Sequence, residues 1–378
     1  MQKKLLAVAV AGAMFSPLAM AQSSVTISGV FKVGVDNIKI GNPGAARTGL
    51  NHNEWRVTDN SSRIIFGITE DIGGGLFGIA QLDVRPQLDD AGETNVAAGN
   101  SWVGLRSTSL GTLTFGRHDL HYGKQPDDIA SKAGALMAAS VSLMDYTWLG
   151  GAVANATRTP NVIRYDTPNF SGFAATIAYS TSPFGGESDL NTGGRKGNAW
   201  NFNPSFTSGP FQVGASLWKA KGDGAAGVPL TAVNQDSLSL YGYYRLGAFK
   251  IGAAINDSEV EAVAAGVTAQ VADRRNWTIP ASWSMGPHNV YAHYTKAGKD
   301  KAANAAGITD TEAKMWAFAY VYDLSKRTSV GVTYAAIDNK TNAAYNLFTN
   351  AAALGSANST PAAGEDPKLL AFTVRHAF

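Results

Sequence analysis

Hydrophobic and polar residues alternate one by one along much of this 378-residue chain. In residues 276–283 the apolar positions are Trp277, Ile279, Ala281 and Trp283. Successive side chains of a β-strand point to opposite faces, so this period of two predicts strands with one apolar and one polar face. The chain also ends inside such a segment, at Phe378, and a terminal strand must find a neighbour to pair with.

Sixteen segments with this pattern predict an all-β chain. They lie near residues 25–36, 63–70, 76–85, 101–107, 112–117, 160–166, 172–180, 199–207, 211–220, 237–245, 249–257, 276–284, 289–296, 313–322, 328–338 and 368–378.

The connections between these segments alternate in length. Tight turns are predicted at residues 71–75, 208–210, 245–248, 285–287 and 323–327. Long polar loops are predicted at residues 37–62, 86–100, 118–159, 182–198, 221–236, 258–275, 297–312 and 339–367. Short turns on one side and long loops on the other are typical of an outer-membrane barrel, whereas a soluble sandwich has no reason to sort its loops.

The apolar face of any one strand fits a soluble core as well as it fits lipid. Sixteen strands, however, leave an interior that side chains cannot fill, and barrels of about this size enclose water. The pattern therefore predicts a sixteen-stranded antiparallel transmembrane β-barrel with short periplasmic turns and long extracellular loops.

The N-terminus indicates export. Lys3 and Lys4 precede an apolar run over residues 5–15, and Ala19-Met20-Ala21 follows as a small-x-small site. This order predicts a secretory signal peptide over residues 1–21, cleaved before Gln22, and a mature barrel over residues 22–378. A membrane-anchor helix would need about 20 apolar residues, and Ser16-Pro17 interrupts this run.

Composition removes several classes of function. The chain has no cysteine, so disulfides, cysteine-based metal sites and thiol nucleophiles are excluded. Loss of Lys3 and Lys4 with the signal leaves 29 basic and 29 acidic residues in the mature chain. No global positive charge therefore indicates nucleic acid or anionic lipid as a partner.

Several motifs resemble those of the general diffusion porins of Gram-negative bacteria, in the branch typical of β-proteobacteria. They span essentially the whole mature chain, in the family's order: residues 62–76, Gly116-Arg117, residues 164–173, residues 323–328 and residues 375–378. The resemblance implies an outer-membrane homotrimer and a third loop folded into the barrel. It also implies passive diffusion of small hydrophilic solutes and ions, with no cofactor and no reaction.

The third loop, residues 118–159, is rich in alanine and methionine. This composition is unusual for an exposed loop and predicts a segment tucked against the barrel wall, where small side chains allow close packing. The alternative is a mobile external loop. An acidic turn at residues 126–128 predicts a short helix over residues 129–137.

The family resemblance implies a cluster of arginines on the wall facing this loop. Arg63 has the parity of Ile65, opposite Ile64, and so is expected to point into the lumen. The predicted constriction consists of Arg63, Arg158, Arg164 and Arg117 on the wall and Asp127 and Asp128 on the loop. Opposed charges of this kind create a transverse field that sorts ions. The basic wall predicts a preference for anions.

Two positions fit the arginine cluster implied by the family resemblance less well. Asn100 stands near a position where the family often has arginine, and Arg117 has a lipid-facing parity unless the strand bulges at Gly116. For Arg85, Arg117 and Arg164, a solvated rim position is an equally good interpretation.

Other functions remain open alternatives. Aromatic residues on lumen parity would suit a substrate-specific channel, although most fit the interface girdle better: Trp218, Tyr241, Tyr243, Trp316, Phe318 and Tyr320. A barrel enzyme or an adhesin belongs to a different class, but no motif supports either. His118, His121, His288 and His293 lack metal-site spacing and are predicted to be surface residues.

Overall fold

A computed structural model describes residues 23–45, 48–49, 51–89, 96–144, 158–183, 197–222, 232–264, 267–347 and 361–378. The predicted signal peptide, residues 1–21, lies outside these ranges. Over the described residues the chain is dominated by antiparallel strands. No described helix has the length and apolar character needed to cross a membrane.

The strands are β1 (Ser24–Gly41), β2 (Asn53–Asp59), β3 (Arg63–Gly73), β4 (Leu76–Val84), β5 (Ser101–Ser107), β6 (Gly111–His118), β7 (Thr159–Asp166), β8 (Phe173–Ser180), β9 (Gly197–Ser208), β10 (Phe211–Gly222), β11 (Ala232–Leu246), β12 (Phe249–Ala264), β13 (Val267–Met285), β14 (His288–Ala297), β15 (Ala313–Asp323), β16 (Thr328–Asn339) and β17 (Asp366–Ala377). The helical pieces are a 3₁₀ turn (Leu136–Ala138), α1 (Val141–Met144) and α2 (Lys301–Ala305).

The strands form one closed antiparallel sheet. From β3 onward each strand pairs with its neighbours in sequence, and β17 pairs with β1 over residues 30–41 of β1. β2 and β3 pair with successive parts of β1 and are separated only by residues 60–62, so together they fill one place in the ring. The predicted sixteen-stranded barrel is confirmed.

Closure of the barrel gives the backbone groups of the first and last strands hydrogen-bond partners. The amide of Gly29 donates to the carbonyl oxygen of Phe378 at 3.0 Å, and the amide of Phe378 donates back to Gly29 at 3.2 Å. The terminal strand therefore has partners on both sides, β16 and β1, as a strand inside a membrane requires.

Burial along β15 separates the two faces of the wall. Ala313, Met315, Ala317, Ala319 and Val321 are buried on the inner side, whereas the residues between them are exposed. Trp316, Phe318 and Tyr320 are in the exposed set, so these three candidate lumen aromatics lie on the lipid-facing side. By register, Trp218, Tyr241 and Tyr243 lie on the inner face.

Two predicted loops were wrong. Residues 53–59, placed in a loop, form β2 against β1. Residues 258–275 are largely strand, because β12 and β13 continue as a paired ribbon to Ala264 and Val267. Charged residues are frequent in this ribbon and large apolar residues on its inner face, such as Val260, are few, so its alternation is weaker than in the lipid-facing strands.

The wall is uneven in height. β5 to β8 have seven or eight residues each, whereas β11 to β13 have 15, 16 and 19. At about 3.3 Å per residue the short strands extend roughly 25 Å before tilt is considered. We call β5 to β8 the low wall.

Candidate constriction of the barrel lumen

The segment after β6 enters the barrel and packs against its inner wall. We call residues 119–144 the inner loop; the remainder of the predicted third loop, residues 145–157, lies outside the described residues. Ile129, Ala133, Met137 and Leu143 are almost fully buried in one cluster with inner residues of β14 to β17. The predicted inward folding is confirmed.

Small inner residues of the wall make this close approach feasible. A Cβ atom on Gly331 would lie 2.6 Å from the carbonyl oxygen of Ala133, and a Cβ on Gly252 would lie 2.4 Å from Cγ of Pro126. Both distances are shorter than van der Waals contact. Glycine at these two positions therefore lets the loop backbone lie directly on the wall.

Side chains of the barrel wall donate hydrogen bonds to backbone carbonyl groups of the inner loop. The Lys32 ammonium donates to the carbonyl oxygens of Ala130 (2.9 Å) and Gly134 (3.3 Å). The amide of Asn276 donates to the Leu143 oxygen at 2.7 Å. These bonds compensate for backbone groups that would otherwise be buried without partners, so they hold the loop in one position.

His121 fastens the first part of the inner loop to the opposite wall. Its ring nitrogens lie 2.7 Å from Ser216 Oγ and 2.8 Å from Ser237 Oγ, and the ring stacks on Trp218. Burial, with a smaller contribution from Lys124, lowers the pKa of His121 to about 3. His121 therefore makes these contacts as a neutral imidazole, and we call them the His121 latch.

The prediction of surface histidines was wrong for His118, His121 and His293, all of which are buried. A ring nitrogen of His293 lies 2.7 Å from the carbonyl oxygen of Ala138, which makes it another contact between wall and loop. The absence of metal-site spacing does not place a histidine on the surface, because neutral histidine is also a common partner for buried polar groups.

The predicted helix over residues 129–137 was also wrong. Residues 129–130 form a turn and residues 131–134 a bend, and helical geometry begins only at the 3₁₀ turn and at α1. Tertiary contacts explain the difference, because Lys32 takes the carbonyls of Ala130 and Gly134 that a helix would have used.

The two candidate aspartates of the loop are already engaged. Asp127 accepts from the amides of Ile129 (3.0 Å) and Ser140 (2.8 Å), and its side chain is only 7% exposed. Asp128 forms an ion pair with Lys250 of β12 at 2.7 Å. In this geometry both carboxylates hold the loop in shape and in place.

Across the lumen, β3 and β4 carry charged side chains on their inner face. Phe66 pairs with the exposed Ile27, so Ile64 and Phe66 face lipid and Arg63 faces inward. Asp83 pairs with Ile65 on that inner face, and Arg85 follows one inner position later. The guanidinium of Arg85 binds the Asp83 carboxylate through two hydrogen bonds of 2.7 Å.

Arg63 belongs to the same charge cluster. The charges that act on it come from Arg85, Asp83, Asp119 and Arg158. Among the described residues, Arg63 takes part in no ion pair. It is therefore a fixed positive charge on the inner wall whose nearest acids are shared with other groups.

Asn100 organises the edge of this cluster. Its amide nitrogen donates to Asp119 at 3.0 Å, and its amide oxygen accepts from the Asp119 backbone at 2.8 Å. The amide of Arg158 donates to the same carboxylate at 2.6 Å. Asn100 thus positions the start of the inner loop, a role the sequence did not indicate.

The other candidate arginines occupy different surroundings. Arg164 faces inward and forms an ion pair with Asp166, with Nε to Oδ2 at 2.9 Å. Thr114 and His118 hydrogen-bond on the inner side, so Arg117 between them keeps its outward parity despite a register shift at Gly116. Its Nε donates to the carbonyl oxygen of Arg158 at 2.8 Å.

The lumen thus has two unlike sides. The inner loop covers the wall of β12 to β17, and the segment containing Tyr345 and Leu347 joins the same buried cluster. The charged side chains of β3 to β7 line the other side: Arg63, Asp71, Asp83, Arg85, Arg106, Arg164 and Asp166. Arginines outnumber aspartates among these inward residues, and two of the arginines, Arg85 and Arg164, are paired with aspartates.

Known proteins resemble this chain over nearly its full length. A family model described as Gram-negative porin matches residues 6–342. Outer membrane porin protein 32 of Delftia acidovorans is 27% identical over 100% of both chains. An outer membrane porin protein of Bordetella pertussis is 26% identical over 87% of this chain and 92% of the relative.

Solved structures agree on the fold. An anion-selective porin from Comamonas acidovorans superimposes with a TM-score of 0.74 at 23% identity, covering 94% of this chain and 100% of that one. OmpF of Salmonella typhi, in complex with daunomycin, gives a TM-score of 0.59 at 16% identity, covering 93% and 97%.

Proposed function

This chain belongs to the Gram-negative porin family and forms a channel in the outer membrane, and we propose that its constriction favours anions. The proposed constriction lies between the inner loop and the arginine side of the wall. The observation that carries the proposal is Arg63, an inward-facing charge without an ion-pair partner among the described residues. Arg158 adds to the positive field of Arg63, whereas Asp83 balances the charge of Arg85.

Arginine suits this role because its guanidinium stays charged when crowded by other cations. A ring of fixed positive side chains lowers the barrier for anions and raises it for cations. Asp127 and Asp128 contribute by fixing the loop, and Arg164 contributes less because Asp166 balances it. Solutes cross such a channel by diffusion.

Planar-bilayer recording under a salt gradient tests the proposal. The variant Arg63→Ser with Arg158→Ser is expected to move the reversal potential toward cation preference. Lys219→Ser with Arg275→Ser is the matched control, because it removes two positive charges from exposed positions outside the lumen. Equal reversal potentials for the two variants would overturn the anion constriction, and folded protein without conductance would contradict the channel itself.

We also propose a homotrimer assembled through the low wall. The apolar band of an outer-membrane barrel is about 25 Å tall, and tilted strands of seven or eight residues fall short of it. Exposed Val103 and Leu105 of β5 therefore suit contact with another subunit better than contact with lipid.

Cysteine cross-linking tests this arrangement cleanly, because the chain contains no cysteine. Oxidised Val103→Cys is expected to give covalent dimers within a trimer. Ile251→Cys, at an exposed position of β12 far from the low wall, is expected to give none. In planar bilayers the purified protein is expected to show conductance steps in groups of three. A monomeric mass of the protein in mild detergent would refute the trimer.

We infer finally that residues 1–21 are a signal peptide removed during export. The basic, apolar and small-x-small order of those residues supports this inference. Intact-mass measurement of protein purified from the outer membrane is expected to match a chain beginning at Gln22. A mass that includes residues 1–21 would contradict it.

A further inference from the structure

The outer face of β14 to β17 and β1 carries two pairs of lysines that face each other directly. Lys296 of β14 lies opposite Lys314 of β15, and Lys368 of β17 lies opposite Lys39 of β1. All four side chains are exposed. We call these four residues the upper lysine row.

The row lies just above the lipid-facing surface. Two residues below Lys296 and Lys314, at the next outer positions, Tyr294 and Trp316 pack with ring centroids 4.3 Å apart. Trp277 extends this aromatic line at 5.3 Å from Tyr294. Aromatic girdles mark the interface between the hydrocarbon and the headgroups, so the ammonium groups lie at the level of the headgroups on the extracellular side.

Directly opposed like charges destabilise an antiparallel pair unless something neutralises them. Lys314 has Asp338 at 2.9 Å, and Glu312, Asp338 and Lys340 line a small cavity with Lys296 and Lys314. Lys39, Lys296 and Lys368 take part in no ion pair within the part of the chain that the structure describes. The ammonium groups of these three lysines are therefore open to an anion from outside the described part of the chain, even though Glu312 and Asp366 lie on the same face.

Another part of the same rim is built differently. Lys219 of β10 lies opposite Asp236 and contacts it at 2.9 Å, and Lys301 contacts Asp273 at 2.8 Å. There each lysine has an acid within the protein. The contrast shows that opposed lysines are not a general feature of this rim.

We propose that the upper lysine row binds phosphate groups of lipid headgroups in the outer leaflet. An ammonium group at this level reaches a headgroup phosphate while its methylene stem lies along apolar or aromatic side chains. Because acidic and basic residues balance over the mature chain, this attraction depends on the local arrangement of the lysines. The proposal is independent of ion selectivity, since these side chains point away from the lumen.

The test compares two double variants of the purified full-length protein in detergent. Each is titrated with lipid A carrying two phosphates and with lipid A carrying one, and binding is read by native mass spectrometry. Lys296→Gln with Lys368→Gln breaks both opposed pairs and is expected to weaken binding of bisphosphorylated lipid A by roughly fivefold per lysine. Its thermal stability without lipid is expected to stay equal or rise, because repulsion is removed.

Lys219→Gln with Lys301→Gln is the matched control, since it also removes two positive charges from the rim. It is expected to change lipid binding less than twofold, and neither variant should alter single-channel conductance. Equal loss of binding in both variants would overturn the proposal, as would identical affinity for the two forms of lipid A. Displacement of the lipid by 10-fold excess inorganic phosphate would assign the site to free phosphate instead.

Discussion

The two sides of the lumen use the same wall geometry for opposite purposes. On β14 to β17 the inward residues are mainly small or apolar, and the inner loop covers them so closely that Ala133, Ala319 and Ala335 are fully buried. On β3 to β7 the inward positions carry arginines and aspartates. We call these the packed side and the charged side.

The difference shows how a barrel too wide to be filled by side chains is made narrow. Close packing over the packed side gives the loop a dry interface whose stability comes from burial and from satisfied carbonyl groups. The charged side instead uses ion pairs such as Arg85–Asp83 to hold its charges in place. Constriction therefore requires both sides, one to fix the loop and one to face it.

The largest loss of stability is expected for Arg85→Gln, on the charged side. Arg85 and Asp83 are 14% and 3% exposed, so removal of the guanidinium leaves a nearly buried carboxylate without its counterion. Loss of one partner of such a pair is expected to cost about 3 kcal/mol in the free energy of unfolding. Urea unfolding in detergent or lipid vesicles measures this change.

Lys219→Gln is the control for that prediction, because Lys219 and Asp236 form an ion pair with both side chains more than half exposed. Its loss is expected to cost less than about 1 kcal/mol. If both variants lost the same small amount, the ion pairs of the charged side would be fully solvated, and the contrast with the packed side would be weaker than proposed.

An intermediate effect is expected on the packed side, for Gly331→Ala. The new methyl group would come 2.6 Å from the Ala133 oxygen and 2.9 Å from Val321, so the loop must lift. Overpacking of this kind is expected to cost about 2 kcal/mol, and single-channel conductance is expected to rise as the loop moves.

Gly78→Ala provides the matched comparison, since its nearest neighbour would be 3.6 Å away in ordinary contact. It should change neither stability nor conductance by a measurable amount. An unchanged conductance in Gly331→Ala would mean that the loop adjusts locally and is not displaced into the lumen. The packed side would then be easier to deform than its burial indicates.

The smallest effect concerns pH and the latch at His121. Its folded-state pKa of about 3 lies below the ordinary value of 6.5, so the unfolded chain binds the proton more tightly. The stabilisation is complete above about pH 6.5 and is lost progressively as the pH falls toward 3. Between pH 6 and pH 5 the loss is expected to be about 1 kcal/mol.

The variant His121→Gln retains hydrogen-bonding capacity without the titration. Urea unfolding at pH 7, 6 and 5 is expected to show a smaller pH dependence for the variant than for the native chain. An equal slope in both proteins would show that other groups, and not the latch, control acid sensitivity.

Much of the barrel was predictable because strand faces are a local property. Alternation in residues 276–283 and along the terminal strand predicted strands that the structure contains. The missed elements are β2 and the ribbon of β12 and β13. β2 has only Trp55 and Val57 as large apolar residues, and the ribbon mixes charged residues with small ones such as Ala262 and Ala272. Alternation this short or this mixed is weak, so a local pattern does not separate it from a loop.

The site was less predictable because its parts come from distant segments. β15 did carry a usable signal: both of its faces are apolar, with small residues on one and aromatic residues on the other. An apolar inner face in a water-filled barrel indicates that protein covers it. His121 carried no such signal, because Ser216 and Ser237, its two partners, lie about a hundred residues away in sequence.

The sequence by itself determined the class of fold, the order of the strands, the alternation of turns and loops, and the inward face of Arg63. These depend on periodicity and on short-range turn chemistry, which each segment carries alone. Only the tertiary structure decided which charges are paired, where the inner loop lies, and which lysines oppose each other across strands. Those outcomes depend on register and on barrel closure, which bring together residues that no local pattern relates.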